Sequence, residues 1–460
     1  MSKFVIHEER AVHNHMRDLT KGNPIKLMLL FALPVFLGNV FQLFYSLADT
    51  AIVGDLLGKD ALAAVGATSS MSNLIIGFLF GLTNGFAILV ARRFGEKNED
   101  ELRKCIAATF ILGTVIAMAL TILIAICLKS ILHMLNTPVD LFNETYRYIK
   151  IIFYGMTVSM LYNVCAAVLR AIGDTITPLV ILIASTTVNV GLVWLFIGAL
   201  HMGVEGAAYA TIIAQSLSAI GCIIYMHNKY PLLRFKKSDF KMDLDLYKNL
   251  MKSGMSMGLM NSFVSLGTVA LQTSINTFGN NTIVAHSAAR KITELYMLIF
   301  SVLGTTMATF ASQNMGAGKV DRIKKGLKAT VIITCTWSFL TILATYTIGP
   351  KLIYLVIRVD TTEVIHTAIR YLRFNCIFYF VPAIITTFRN TMQGIGDHTT
   401  PIVSSFIELT GKVFVVLFLT PFLYYDGIII SEPIVWFLMV IPLIVQMIRN
   451  PVMRKRDVAQ

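Results

Sequence analysis

Charged residues are scarce in this sequence of 460 residues. Asp, Glu, Lys and Arg make up 14% of it, whereas 55% of the residues are apolar and the mean hydropathy is +0.69. Soluble domains carry about 25% charged residues, so the composition argues against a water-soluble enzyme. The zinc-binding motif HExxH and the phosphate-binding motif GxxxxGK[ST] are also missing, so neither metalloprotease chemistry nor ATP use by this chain is indicated.

The cysteines do not indicate a disulfide framework or a metal site. The six cysteines contain no CxxC pair and mostly fall inside apolar runs, where they are expected to act as small packing residues. The polar segment that ends at Lys26 lacks the apolar core of a signal peptide. From the sequence we therefore expect no metal, no cofactor and no cleaved leader.

What the sequence does contain is a series of apolar segments, each bounded by Gly, Pro or charged residues and each long enough to cross a bilayer as a helix. We predict an all-α polytopic membrane protein with twelve transmembrane helices. The predicted spans are Ile25–Val53, Ala61–Ala91, Cys105–Leu128, Tyr148–Leu169, Thr177–Leu200, Val204–Met226, Leu250–Phe278, Thr282–Ser312, Leu327–Ile348, Ile365–Met392, Pro401–Leu423 and Ile428–Ile448.

The basic residues are distributed unequally between the two ends of these spans. Of the 39 Lys and Arg residues, we count 28 at one set of span ends, seven at the other and four inside the spans. Because cytoplasmic loops carry the excess of positive charge, both termini are predicted to be cytoplasmic in the cell membrane. This assigns the net charge of +13 to topology and makes a nucleic-acid partner unnecessary.

The chain repeats itself at an offset of 221 to 223 positions, which predicts two six-helix bundles related by a pseudo-two-fold axis along the membrane normal. The paired segments are Ala171–Pro178 with Gly394–Pro401, Arg93–Gly95 with Asn314–Gly316, and Gly58–Asp60 with Gly279–Asn281. The predicted organisation is a tail at 1–24, an N-lobe at 25–228, a connector at 229–246, a C-lobe at 247–448 and a tail at 449–460.

The connector is strongly basic between Lys229 and Lys252. Its simplest interpretation is a solvated cytoplasmic loop between the lobes. The alternative is a site for polyanionic lipid, because clustered basic residues beside a membrane attract anionic headgroups.

Ionisable residues inside a span are costly and usually functional, and Asp49 is the clearest case in the N-lobe. Gln42, Tyr45 and Asp49 are spaced so that they share one face of the first span. Pro34 removes a backbone hydrogen bond and predicts a bend in that helix. A buried carboxylate at this position would suit proton uptake, whereas the alternative is a hydrated residue near the end of the helix.

A second set of charges lies in the predicted C-lobe. Arg290 and Lys291 precede Glu294 by four and three positions, and Glu408 precedes Lys412 by four, so ion pairs within one helix are predicted. These residues are interpreted either as structural ion pairs or as a titrating or substrate-facing cluster.

These features resemble the multidrug and toxic compound extrusion family. The resemblance rests on Pro34, Gln42, the segment Ala48–Gly54, the paired Ile-Gly-Asp…Thr-Pro motifs, the segment Gln313–Gly318, and Glu408 followed by a basic residue at 412, and it spans nearly the whole chain. It implies two bundles around a central cavity and export of organic, often cationic, compounds in exchange for protons or sodium ions. It also implies that Asp49 couples transport to the ion, that Pro34 is the bend, and that Asn189 belongs to the same polar cluster.

One departure from the family's pattern concerns the coupling ion. Many members carry an aspartate four residues after the asparagine that matches Asn189, and here that position is Val193. Asp49 is then the one matched acidic coupling residue, which favours protons over sodium.

The leading hypothesis is therefore a gradient-driven exporter of small organic substrates, expected to be monomeric and surrounded by membrane lipids, with no enzymatic activity. The alternatives are a flippase for lipid-linked saccharides, for which Arg290 and Lys291 would supply positive charge, and a non-transporting membrane sensor or binding protein.

Overall fold

The fold is described from a computed structural model, which covers residues 17–58, 61, 65–66, 69–134, 137–357 and 362–454. The predictions on residues 1–16 and 455–460 of the tails, and on Lys59, Asp60 and Arg358, lie outside this part of the chain. Within it, the chain is helical and contains no strand, and ten helices are long and apolar enough to span a membrane. Two further bent helix pairs bring the number of spans to twelve, which confirms the predicted all-α fold.

Each predicted span corresponds to a helix or a bent pair, and most helices are longer than predicted because they continue into polar residues at their ends. In the first half the helices are Pro24–Leu57, Ser69–Gly95, Glu99–Met134, Val139–Tyr154 with Met156–Ala171, Ile176–Val193 with the π-helix Trp194–Ala199, and Val204–Lys229. In the second half they are Leu244–Ile275, Asn280–Gly316, Val320–Ile357, Thr362–Cys376 with Phe380–Ile395, Thr399–Phe414 with the π-helix Val415–Leu419 and the short Thr420–Leu423, and Tyr425–Arg449.

The irregularities of the helices repeat along with the sequence. The fourth span bends by 44° at Gly155, and the tenth bends by 56° between Cys376 and Phe380. The two π-helices, which begin at Trp194 and Val415, lie 221 positions apart at the ends of the fifth and eleventh spans. The internal repeat is thus visible in the backbone as well as in the motifs.

The repeated Ile-Gly-Asp…Thr-Pro motif builds the beginning of a helix in each half. Asp174 accepts hydrogen bonds from the backbone N–H of Thr177 at 3.0 Å and from its hydroxyl at 2.6 Å. Asp397 makes the same two bonds to Thr400, at 3.1 and 2.8 Å. A carboxylate in this position satisfies N–H groups that the first helical turn leaves free, so the motif is structural.

The glycine of the motif is required by backbone geometry. Gly173 has φ 93° and Gly396 has φ 97°, a left-handed conformation that costs little energy only for glycine. At Gly173 an added Cβ would also lie 2.2 Å from the carbonyl oxygen of Arg17.

The chain folds into two compact units. Unit 1 contains residues 1–18 and 33–255, and unit 2 contains residues 19–32 and 256–460. The first helix is continuous through Pro34, but its residues up to Ala32 belong to unit 2 and those from Leu33 onwards to unit 1. The lobe boundaries predicted from the sequence stay a prediction.

Both units bury a core of their own and still expose large apolar side chains. The core of unit 1 includes Phe86, Cys105 and Met160, and all six cysteines are free. Ile126 on the third span is 76% exposed, and Phe339 on the ninth is 66% exposed. Extended apolar surfaces of this kind are stable against lipid and unfavourable in water.

Candidate functional site

Polar side chains from four spans of unit 1 meet around Asp49. Tyr45 Oη and Thr211 Oγ1 are 3.3 Å apart, and Asn189 Nδ2 donates to Thr211 Oγ1 at 3.5 Å. The Thr211 hydroxyl in turn donates to the carbonyl of Ala207 at 3.0 Å, so it accepts from its two polar neighbours. We call Tyr45, Asp49, Tyr148, Asn189 and Thr211 the Asp49 cluster.

Two oxygen atoms of the Asp49 cluster stand out because nothing donates to them. Asp49 Oδ1 and Asn189 Oδ1 are both buried, and neither has a hydrogen-bond partner within the described residues. No Lys or Arg among the described residues is in ion-pair contact with Asp49. The Asp49 carboxylate interacts electrostatically with the phenols of Tyr45 and Tyr148. Unpaired oxygens at membrane depth are costly unless a proton or a cation compensates them.

The sequence predictions for the first helix have mixed outcomes. Tyr45 and Asp49 lie together as predicted, and Asn189 joins them through Thr211. Gln42 lies on the same helix but is exposed and contributes none of the contacts of the cluster. The bend at Pro34 stays a prediction, since the helix is assigned as continuous.

Val193 completes the surroundings of the cluster on its apolar side. Its side chain is fully buried in a small apolar core with Val53, Ile197 and Ala207. Val53 follows Asp49 by about one helical turn, and Val193 follows Asn189 by the same distance. A second carboxylate at position 193 would therefore replace an apolar contact, and Asp49 is the acidic member of the cluster.

Unit 2 contains charges at membrane depth as predicted, but their partners differ from those the spacing indicated. Arg290 Nη1 lies 3.0 Å from Glu432 Oε1, and Tyr371 Oη donates to Glu432 Oε2 at 2.7 Å. The predicted pairing of Arg290 and Lys291 with Glu294 is wrong for the described residues: Lys291 and Glu294 are exposed, and neither takes part in an ion pair there. Glu432 on the twelfth span is 5% exposed, and a buried carboxylate needs a compensating cation more than the exposed Glu294 does.

The predicted pair of Glu408 and Lys412 is confirmed, with Lys412 Nζ 2.8 Å from Glu408 Oε1. A third charge joins it, because Arg389 Nη2 lies 3.4 Å from Glu408 Oε2. Arg389 lies inside the predicted span Ile365–Met392 and is buried within the helix Phe380–Ile395. The predicted C-lobe cluster is therefore two separate ion-pair networks.

Sequence reasoning overlooked several of these partners. Glu432 lies inside a predicted span and should have been noted by the same rule that selected Asp49. Tyr148 and Thr211 are neutral and carry no such signal in an apolar helix. The repeat does pair Tyr148 with Tyr371, which lies 223 positions later, so the two tyrosines could have been compared from the sequence.

One catalytic motif is present in the sequence and is explained by packing. Residues 254–258 match GxSxG, the pattern of a serine nucleophile on a strand-to-helix turn. Here the pattern lies within the helix Leu244–Ile275, where Ser256 is buried and donates to the carbonyl of His398 at 2.7 Å. The geometry is that of a helix–helix contact.

Comparison with known proteins identifies the kind of molecule. The MatE family model matches the chain twice, at residues 34–195 and 257–419, which together make up well over half of it. The chain belongs to the MatE family. The two matches begin 223 positions apart, in agreement with the repeat, and each match covers the first five spans of one half of this MatE protein.

Individual relatives agree with this assignment. The chain is 28% identical over 399 residues to the probable multidrug resistance protein YoeA of Bacillus subtilis, covering 85% of this chain and 86% of YoeA. It is 24% identical over 310 residues to a protein of Shewanella oneidensis named as an FAD transporter, covering 66% of this chain and 68% of that protein. A crystal structure described as MATE in the bent conformation superposes with a TM-score of 0.87 at 21% identity, covering 95% and 97% of the two chains.

The protein is thus a multi-pass membrane transporter with two lobes, of a family associated with multidrug efflux. It belongs to a class of transporters and not to a class of enzymes.

Proposed function

We propose that this MatE protein exports small organic compounds in exchange for protons, and that Asp49 is the residue that binds the coupling proton. The observation that carries the proposal is the Asp49 cluster. It holds a carboxylate with a buried oxygen that receives no hydrogen bond within the described residues and has no compensating cation there. A proton on that carboxylate removes the uncompensated charge.

The neighbours of Asp49 provide the rest of the site. Protonated Asp49 becomes a donor, and Asn189 Oδ1 is a buried acceptor within the same cluster that lacks one. The Asn189 side chain is held by its hydrogen bond to Thr211 Oγ1 at 3.5 Å, and Thr211 Oγ1 is in turn 3.3 Å from Tyr45 Oη. Loading and release of the proton would then change which hydrogen bonds join the first, fifth and sixth spans.

A change of this kind supports transport by alternating access, in which the protonated and unprotonated states favour different conformations of the transporter. The proton would compete with substrate, so that proton binding on the outer side lowers the affinity for substrate. We further propose a location in the cell membrane with both termini in the cytoplasm, and a monomer as the working unit.

The substrate class is proposed as drug-like organic compounds, cations included, in keeping with relatives named as multidrug resistance or export proteins. One relative is named as an FAD transporter, so a substrate screen should contain both charge types. The alternative of a saccharide-lipid flippase needs a strongly basic cavity, and Arg290 is neutralised by Glu432. No observation on the described residues favours it.

The proposal is tested by efflux from proteoliposomes. Purified protein is reconstituted, and efflux of ethidium, a cation, and of FAD, an anion, is followed under a pH gradient or, at constant pH, under a sodium gradient. We expect the wild type to respond to the pH gradient and Asp49→Asn to lose at least 90% of the response.

The matched control is Asp55→Asn, which removes an exposed acid from the same helix six residues later. It should leave the response to the pH gradient unchanged. A response of the wild type to sodium alone would overturn proton coupling, and full pH-driven efflux by folded Asp49→Asn would overturn the assignment of the residue.

A further inference from the structure

The predicted connector at 229–246 includes residues 230–243, which lie between the helices Val204–Lys229 and Leu244–Ile275 and are part of unit 1. It contains two short 3₁₀ turns, Pro231–Leu233 and Lys237–Phe240. The second turn is fixed by Asp239, which is buried, accepts from the backbone N–H of Lys236 at 2.7 Å and pairs with Arg103 Nε of the third span at 3.3 Å. A connector fixed by a buried ion pair presents a defined surface.

The position of this surface along the third span is given by its contact with Phe110. The ring of Phe235 packs edge-on against Phe110, with the ring centres 6.1 Å apart. Phe110 follows the first residue of that helix, Glu99, by eleven positions, or about 16 Å along the axis. It also lies beyond Cys105, where the apolar part of the span was predicted to begin. The connector therefore folds back to the level of the bilayer interface.

The outward surface of the connector is both apolar and basic. Phe240 is 51% exposed and Met242 is 76% exposed, although both are large apolar side chains. Lys237 and Lys241 flank Phe240 and are exposed, and neither is in ion-pair contact with an acid within the described residues. Lys236 makes one surface contact, to Asp100 at 3.7 Å.

The acids at the C-terminal end of this segment, Asp243 and Asp245, make their contacts within the helix that follows. Asp243 Oδ1 accepts from the backbone N–H groups of Asp245 and Leu246 and so caps the helix Leu244–Ile275. Asp245 lies 4.0 Å from Lys248 in the first turns of that helix. Neither acid is in ion-pair contact with Lys237 or Lys241 within the described residues.

We propose that this connector is an interfacial anchor that binds the headgroups of anionic phospholipids. Aromatic and Met side chains enter the boundary between headgroups and acyl chains, while lysines reach the phosphate groups from the side. Two features favour lipid over another protein: Phe235 of the connector packs against Phe110 of the membrane-spanning third helix, and the charge of Lys237 and Lys241 is complementary to an anionic leaflet. The solvated loop, its simplest interpretation from the sequence, does not account for the buried Asp239 or the exposed Phe240.

The test measures contact with each lipid directly. Phe240→Trp is reconstituted in bilayers of phosphatidylglycerol and phosphatidylcholine at a fixed 1:3 ratio, with bromine on the acyl chains of only one of the two lipids. The fluorescence of the three native tryptophans is subtracted with the wild type measured in the same bilayers. We expect bromine on phosphatidylglycerol to quench the added tryptophan at least twice as strongly, per molecule of lipid, as bromine on phosphatidylcholine.

Two charge variants make the test specific. Lys237→Gln with Lys241→Gln should lower this ratio to one, whereas Lys325→Gln with Lys328→Gln, which removes two exposed lysines elsewhere, should leave it at the starting value. Absence of quenching by either lipid would mean that water or protein covers the connector. That result would overturn the proposal. So would a ratio of one in Phe240→Trp with both lysines present, because the two lipids would then contact the connector equally.

Discussion

The two halves of the repeat place a tyrosine at the same position, and the carboxylates that influence these two tyrosines differ in how their charge is compensated. Tyr148 lies near Asp49, whose Oδ1 is buried without a partner among the described residues. Tyr371, 223 positions later, donates to Glu432, and Glu432 is also held by Arg290 at 3.0 Å. Asp49 has no compensating cation within the described residues, whereas Glu432 has both a cation, Arg290, and a hydroxyl donor, Tyr371.

This difference separates two uses of charge in a membrane. A carboxylate that already has a cation and a hydroxyl donor has nothing further to bind, so Glu432 is expected to stabilise its unit. A carboxylate without either is held at an energetic cost and is able to take up a proton or cation from solution. We therefore propose that unit 1 contains the ion-coupling site and that the ion pairs of unit 2 are structural.

The largest effect is expected from breaking the pair in unit 2. Arg290→Ala leaves the Glu432 carboxylate buried, 5% exposed, and without its cation. Removing one partner of a buried pair typically costs about 3–5 kcal/mol, so thermal unfolding in detergent should shift to a much lower temperature. Asp49→Asn removes a charge that has no ion-pair partner within the described residues, and it should leave the unfolding temperature unchanged or raise it.

The control for this prediction removes both partners. Arg290→Met combined with Glu432→Gln leaves no uncompensated charge, and most of the lost stability should return. Equal unfolding temperatures for the single and double variants would contradict the view that the pair serves charge compensation.

A smaller effect is expected from the neutral members of the two sites. Thr211→Val removes the hydroxyl that Tyr45 and Asn189 share, and unpaired buried polar groups cost about 1–3 kcal/mol. Efflux driven by a pH gradient should fall about tenfold, and Thr211→Ser should retain most of it. Tyr371→Phe, in the paired site of unit 2, should leave efflux near the wild-type value. Equal losses of efflux in Thr211→Val and Tyr371→Phe would contradict the view that only the site in unit 1 serves ion coupling.

The smallest effect concerns the repeated helix starts. Asp174 is fully buried and accepts an additional bond from Tyr230 Oη at 2.6 Å, whereas Asp397 is partly exposed and accepts its additional bond from Gln446 at 3.0 Å. Loss of a capping side chain costs about 1 kcal/mol. In thermal unfolding, Asp174→Ala should therefore be more destabilising than Asp397→Ala, and the reverse order would show that burial does not set the difference.

The fold could be predicted from the sequence because its signals are strong and local. Twelve apolar segments and a motif repeated 223 positions apart determine the number of spans and the two halves. The bends at Gly155 and after Cys376 escaped prediction because apolar residues continue through both. In a bilayer a broken helix and a straight one of the same composition carry the same hydropathy signal.

The candidate site could be predicted only in part, and the reason is sequence distance. Asp49 and Asn189 were found because one is ionisable and the other matches a family position. The partner of Arg290 was assigned wrongly because spacing rules compare residues on one helix, whereas Glu432 lies 142 positions away. Thr211 is one of several hydroxyls bonded to a carbonyl in its own helix, so its position beside Tyr45 was evident only in three dimensions.

The central claim, that Asp49 carries the coupling proton, is tested most directly by measuring protons and substrate together. Proteoliposomes containing a lumenal pH indicator are given an ethidium gradient and no pH gradient, and ethidium flux and lumenal pH are recorded. Wild type and the Arg290→Met, Glu432→Gln variant should move protons opposite to ethidium, whereas Asp49→Asn should pass ethidium without moving protons. Proton movement by Asp49→Asn at the wild-type ratio to ethidium would contradict the account.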